Sequence, residues 1–333
     1  MRCDRSLFNA FAPRSLAPSG RRLRVGGSGL ARILVTGAAG FIGDALCRGL
    51  VARGHDVLGI TRGPAEAIPG AEVRPIGDIG PSTDWSYHLR AVETVIHLAD
   101  RGTPEVARHA AAALARAAAA GGVRRLVYMS SVRAMGAATG PGAPFRAADP
   151  PSPCDAYGRA KLMREKSLLA IAQQTGLDLV ILRPPLVYGP NVKANFRALI
   201  RLAATGLPLP FARIDNRRSL IFLDNLVDAA ARAAIDPAAA GRVLLLRDTA
   251  DLSTGELFRM LAAGLGRRVR FFAVPDPAFA LSRAIPALGP LAARLTLSLQ
   301  VDDSPTRALL DWEPPVPAEI GLATTARAFR DAI

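Results

Sequence analysis

Cysteine is scarce: Cys3, Cys47 and Cys154 are the only three in 333 residues. They are too few and too scattered for a disulfide framework or a structural zinc site. A reducing, cytoplasmic setting is expected, and no metal site. Long apolar runs are absent as well. The nearest is the Ala-rich stretch 110–120, which Arg116 interrupts, and it falls short of the roughly 18–20 residues that span a bilayer. Lysine is almost missing, with Lys161, Lys166 and Lys193 the full complement, so the net charge of +14 rests on arginine. Seven arginines (Arg2, Arg5, Arg14, Arg21, Arg22, Arg24, Arg32) against Asp4 place +6 of that charge in residues 1–32. The remainder is spread thinly, with no dense basic block and no interleaved aromatics, which argues against nucleic acid as a partner. A modest basic surface suits an acidic, phosphate-bearing substrate instead.

The chain exceeds one simple domain in length, so one large domain and a smaller appended one are expected. Residues 1–30 are Arg-rich and acid-poor without a continuous apolar segment. They read as a disordered tail, a start placed too far upstream, or an organellar transit peptide. The first apolar run, 33–36, is bounded by Gly37 and reads as a buried parallel strand. A helical pattern at 41–52 and a second strand at 56–61 follow. Strands at 94–98 and 126–130 flank the Ala-rich helix, and a helix at 157–173 precedes a strand at 177–182. This alternation means βαβ units: an α/β fold with a Rossmann-type, doubly wound parallel sheet over residues 31–185. Residues 186–333 are expected to form mainly a smaller mixed α/β substrate domain. Segments 219–223 and 243–246 would return to the main sheet, and the Pro-rich stretch 275–290 would form loops over a cleft.

Chemistry is concentrated at three places. Gly37, Gly40, Phe41, Ile42 and Gly43 lie between the first strand and its helix. Glycine there lets the backbone turn and approach a pyrophosphate, and the helix N-terminus offers it free N–H groups. At the end of the second strand stand Thr61 and Arg62, without the carboxylate that would bind an NAD ribose. Arg62 therefore leans the cofactor, NAD(P), toward NADP. Tyr157 and Lys161 lie one turn apart on one helix face. A phenol ionising near ~10 is too weak a base at neutral pH, and a Lys161 ammonium close by is expected to lower it. Ser131, at a strand's carboxyl end, supplies a second hydroxyl.

Together with Asp78-Ile79, His97-Leu98-Ala99 and Arg183…Tyr188-Gly189-Pro190, these motifs resemble the extended short-chain dehydrogenases/reductases, in the branch of nucleotide-sugar epimerases and dehydratases, over about residues 31–330. The resemblance implies that Asp78 and Ile79 hold the adenine, that Leu98 and Ala99 line the middle of the cofactor, and that Pro184 sits by the nicotinamide. It also implies that Arg218, with Arg217 as neighbouring candidate, grips the substrate diphosphate and that Asn195 contacts the substrate. Val132 and Arg133 stand where the family's dehydratases carry an Asp-Glu pair, which argues against elimination. The similar UDP-galactose 4-epimerases carry an acidic residue at the place of Thr61 and Asn at the place of Leu186. The implied activity is a nucleotide-sugar 4-epimerase, with an NADPH-dependent 4-keto reductase as alternative. A non-catalytic NAD(P)-binding sensor ranks below both. The resemblance implies a UDP-linked substrate and a homodimer.

Overall fold

The computed structural model describes residues 30–100, 102–140, 142–275, 279 and 289–332. The leader at 1–29 and most of the Pro-rich stretch thus lie outside the described residues. Strand β1 (Arg32–Thr36) is buried almost throughout and pairs in parallel with β2 (Asp56–Thr61) on one side and β4 (Thr94–His97) on the other. Its Ile-Leu-Val run suits a strand covered on both faces. The sheet continues through β3 (Ala71–Pro75), β5 (Arg125–Met129), β6 (Asp178–Arg183) and β9 (Val243–Leu245) in the order β3-β2-β1-β4-β5-β6-β9. The strand order reverses between β1 and β4, and doubly wound sheets open a ligand crevice at the carboxyl ends of such a pair.

Helix α1 (Phe41–Ala52) buries Leu46 and Leu50 in a core shared with Val35, Val127 and helix α5 (Leu223–Ile235). On the other face α2 (Pro104–Ala120) and α3 (Ala156–Thr175) close over Leu34, Val95 and Leu126 through Ala111, Leu114, Leu168 and Ile171. A third cluster, with Tyr188, Phe196, Phe222 and Phe258, backs a separate two-stranded parallel sheet of β7 (Leu186–Tyr188) and β8 (Leu220–Phe222). Among the described residues no helix is long and apolar enough to cross a membrane, and no cluster of metal-ligating side chains occurs.

Two sequence expectations need correction. The segment at 219–223 does not return to the main sheet: β8 pairs with β7, which the Pro184-Pro185 step has already parted from β6. Proline removes ladder donors and turns the chain. Strand β3 was not foreseen, because Ala-Glu-Val-Arg-Pro offers a single large apolar residue. It is a half-exposed edge strand made by pairing with β2 rather than by propensity.

Candidate active site

The loop from Gly37 to Gly43 shows why glycine is needed at two of its positions. Gly37 has φ of 74°, the left-handed region in which side chains are strained. A Cβ on Gly43 would lie 2.1 Å from the Gly37 carbonyl oxygen, so the helix could not close on the turn. Gly40 is the N-cap of α1 and makes no side-chain capping bond. The first N–H groups of the helix are thus left for an anion. Phe41 and Ile42, in the first turn, pack half-buried on the core. The Thr36 hydroxyl ties this loop to β4: it accepts from the N–H groups of Leu98 (3.1 Å) and Ala99 (3.2 Å) and lies 2.8 Å from His97 Nδ1. Burial, helped by the charge of Lys161, pushes the His97 pKa down to about 4. The ring is neutral, and the Thr36 hydroxyl donates to it.

Thr61 is buried and donates to the Gly63 carbonyl at 2.8 Å, whereas Arg62 is exposed, 3.9 Å from Asp78. Asp78 is held beside the end of β2 because Gly77 N–H donates to the Arg62 carbonyl at 3.0 Å. Ile79 packs half-buried on the core beneath. A groove of about 1080 Å³ runs from Thr61 past Gly40 and Phe41 to Lys193.

Helix α3 starts on a designed seat. Asp155 caps it, accepting from Gly158 N–H at 2.7 Å, and pairs with Arg133. A Cβ on Gly158 would lie 2.2 Å from the Arg133 carbonyl oxygen, so the first turn of α3 presses directly on the 3-10 turn Val132–Ala134 after Ser131. That contact sets Tyr157 close enough to the Ser131 hydroxyl for the hydroxyl to lower the phenol's pKa. Pro184 joins the same corner, its carbonyl accepting from Val132 N–H at 2.9 Å. Lys161 is buried, donates to the Met129 carbonyl at 2.9 Å, and lies 2.9 Å from an Asp100 carboxylate oxygen.

Tyr157 exposes half its surface, yet burial of the rest, followed by the Asp100 charge, holds its pKa above the ordinary tyrosine value; the Ser131 hydroxyl opposes this. Lys161 is not among the groups that shift this phenol in the chain by itself. The ammonium lies 5.8 Å from the ring centroid and is engaged by Asp100 and Met129.

Arg218 donates to the Leu297 carbonyl at 2.9 Å. Its pKa is lowered to about 10 by burial and by the charges of Arg133 and Arg294. Arg217 faces away, exposed and paired with Glu256 at 3.1 Å. Asn195 stands in the first turn of α4 (Ala194–Ala204), and its side chain lies outside the described residues.

Sequence reasoning missed three charged partners at this corner: Asp100, Asp155 and Glu165. The buried Glu165 receives Arg183 at 3.0 and 2.5 Å and the Ser130 hydroxyl, pinning α3 to β5 and β6. Only Asp100 carried a usable signal, since it closes the loop at the carboxyl end of β4, where such sheets place ligands.

The model of the NAD dependent epimerase/dehydratase family matches residues 33–244. A UDP-glucose 4-epimerase of Vibrio cholerae is 36% identical over 314 residues, spanning 90% of this chain and 96% of that protein. The structure of UDP-glucuronic acid 4-epimerase from Bacillus cereus in complex with NAD has the same fold, with a TM-score of 0.71 at 22% identity over 90% of this chain and 99% of that one. MoeE5 in complex with UDP-glucuronic acid and NAD gives a TM-score of 0.71 at 26% identity, covering 91% of this chain and all of the other.

Proposed function

The chain belongs to the NAD-dependent epimerase/dehydratase family, and from that premise we propose that it is a nucleotide-sugar 4-epimerase acting on a UDP-linked sugar. The observation that carries this reading is the juxtaposition of Ser131 and Tyr157 beside buried Lys161, at the carboxyl end of the sheet that also holds the uncapped glycine loop. The loop fits a dinucleotide pyrophosphate, because side chains are excluded at Gly37 and Gly43 and the helix donors are free. Asp78, Ile79, Leu98, Ala99 and Pro184 would line the rest of that cofactor's path.

A nicotinamide held there would supply hydride transfer from and back to sugar C4. Tyr157 takes the proton of the C4 hydroxyl as the hydride leaves and gives it back to the 4-keto sugar on return. The Ser131 hydroxyl bonds the same oxygen and orients it. The charge of Arg164 favours the Tyr157 phenolate, against Asp100. Arg218, with Arg133 and Arg294 close enough to depress its pKa, supplies unbalanced positive charge suited to the diphosphate. Val132 and Arg133 after Ser131 leave no acid–base pair for expelling a hydroxyl.

The exposed guanidinium of Arg62 supports a preference for NADP, since a 2′-phosphate there would gain a charged partner. The same residue favours the second reading, a 4-keto reductase using exchangeable NADPH. Purified protein incubated with a panel of UDP-sugars alone, and with NADPH plus a UDP-4-keto sugar as hydride acceptor, separates the two. Epimerisation without added reductant supports the first reading, and product formation only with equivalent NADPH consumption supports the second. Turnover of neither kind on any UDP-sugar overturns both. Tyr157→Phe should bind cofactor normally and lose at least ~100-fold in turnover, the usual scale of acid–base catalysis.

A further inference from the structure

Two buried cations of α3 converge on one carboxylate. Asp100 places one oxygen 2.9 Å from Lys161 Nζ and the other 2.5 Å from Arg164 Nη1. Both cationic side chains are 6% exposed, and that of Asp100 is 22% exposed. The neighbouring buried carboxylate, Glu165, is occupied by Arg183 and Ser130.

We propose that Asp100 is the positioning residue of this site, clamping Lys161 against the Met129 carbonyl and using Arg164 as its second anchor. The proposal rests on the reading of Tyr157 and Lys161 as the reacting pair. A buried ammonium without an anion loses its proton or leaves the interior. Burial does push Lys161 down, while the charge and hydrogen bond of Asp100 work against that push. The clamp therefore keeps Lys161 charged and in place before any ligand arrives. It has a second effect, on Tyr157. The groups facing that phenol are Asp100 from the end of β4, Ser131 from the end of β5, and Asp155 and Arg164 from α3 and its cap. Lys161 lies along the same face. Asp100 and Asp155 oppose the phenolate; Ser131 and Arg164 favour it. One carboxylate thus ties the two titrations together.

The composition makes both readable without substrate. Of four tyrosines, Tyr128 and Tyr188 are buried and held far above the usual range, so in a Tyr87→Phe background an ultraviolet titration reads Tyr157. With only three lysines, carbon-13 labelling of the lysine side chain gives three signals to follow by NMR. The Lys161 signal is the one lost in Lys161→Met.

Asp100→Asn should move both midpoints down, and Asp100→Glu should restore Lys161 most of the way. Arg164→Gln should move both midpoints up, since Arg164 acts on each with the opposite sign to Asp100. That variant keeps the test alive if Asp100→Asn fails to fold. In turnover, Asp100→Asn should lose about 10- to 100-fold in kcat with KM changed less than about threefold, the scale of misplacing a catalytic group. Midpoints unmoved by both variants, or an unchanged kcat, overturn the proposal. The titrations use protein alone, so an error in the substrate assignment leaves them interpretable.

Discussion

Arg62 holds more of the cofactor question than any other side chain, because it stands exposed where β2 ends and Asp78 is its ion-pair partner at 3.9 Å. An exposed pair at that distance is weak, so the guanidinium is available to a 2′-phosphate. NADP should bind more tightly than NAD, and Arg62→Ala should weaken NADP by about 1–3 kcal/mol while leaving NAD nearly unchanged. Titration calorimetry with both cofactors decides it: equal affinities in the unmodified protein would sink the preference. Tyr157 carries the opposite lesson. Its partnership with Lys161 is legible as an i, i+4 pair, but the sign of its pKa shift is not. That sign depends first on burial and then on Asp100, 57 positions upstream and brought in by the sheet.

At the scale of elements, the proposed catalytic geometry depends on α3 sitting flush on the turn after β5. Gly158 permits the contact, Asp155 caps the helix and binds Arg133, and Glu165 locks the far side to Arg183. A methyl group at 158 meets backbone, which cannot rotate away. Gly158→Ala should therefore cost about 1–3 kcal/mol in stability, as overpacking does. It should also lower kcat disproportionately, because Tyr157 moves away from Ser131 when the helix lifts. Urea unfolding and steady-state kinetics on one preparation check both, and a variant as active and stable as the parent would refute the seating argument. The rest of the element layer was legible where apolar runs and helical periodicity were strong, as in β1, α1, β2 and β6. It failed at β3, whose short, half-polar segment owes its form to its partner, and in the pairing of β8, an apolar strand foreseen at 219–223 but assigned to the wrong sheet.

For the whole molecule, buried His97 makes stability depend on pH. Its folded pKa of about 4 lies below the unfolded value near 6.5, so the unfolded chain binds the extra proton between those limits. The stabilisation is complete above 6.5 and is lost as pH falls toward 4. For this one group the loss between pH 7 and pH 5 is about 2 kcal/mol. His55 and His88 are shifted in the same direction by burial, and a chain already at +14 repels itself further as it gains protons. Urea midpoints at the two pH values should show the decline, and His97→Asn, which keeps an acceptor for Thr36, should flatten it. A decline of the same size in that variant would exclude His97 as its source.

By itself the sequence determined the parallel α/β order, the glycine cradle and the Tyr157–Lys161 helix face. Each of these is written within a dozen residues, in a period, a missing side chain or a helical spacing. Tertiary structure alone decided which strand leaves the main sheet, that Arg218 rather than Arg217 turns toward Arg133 and Arg294, and that Asp100 holds Lys161. Those outcomes depend on charges and backbone groups far apart in the chain. Their energies exist only once burial has removed the water between them.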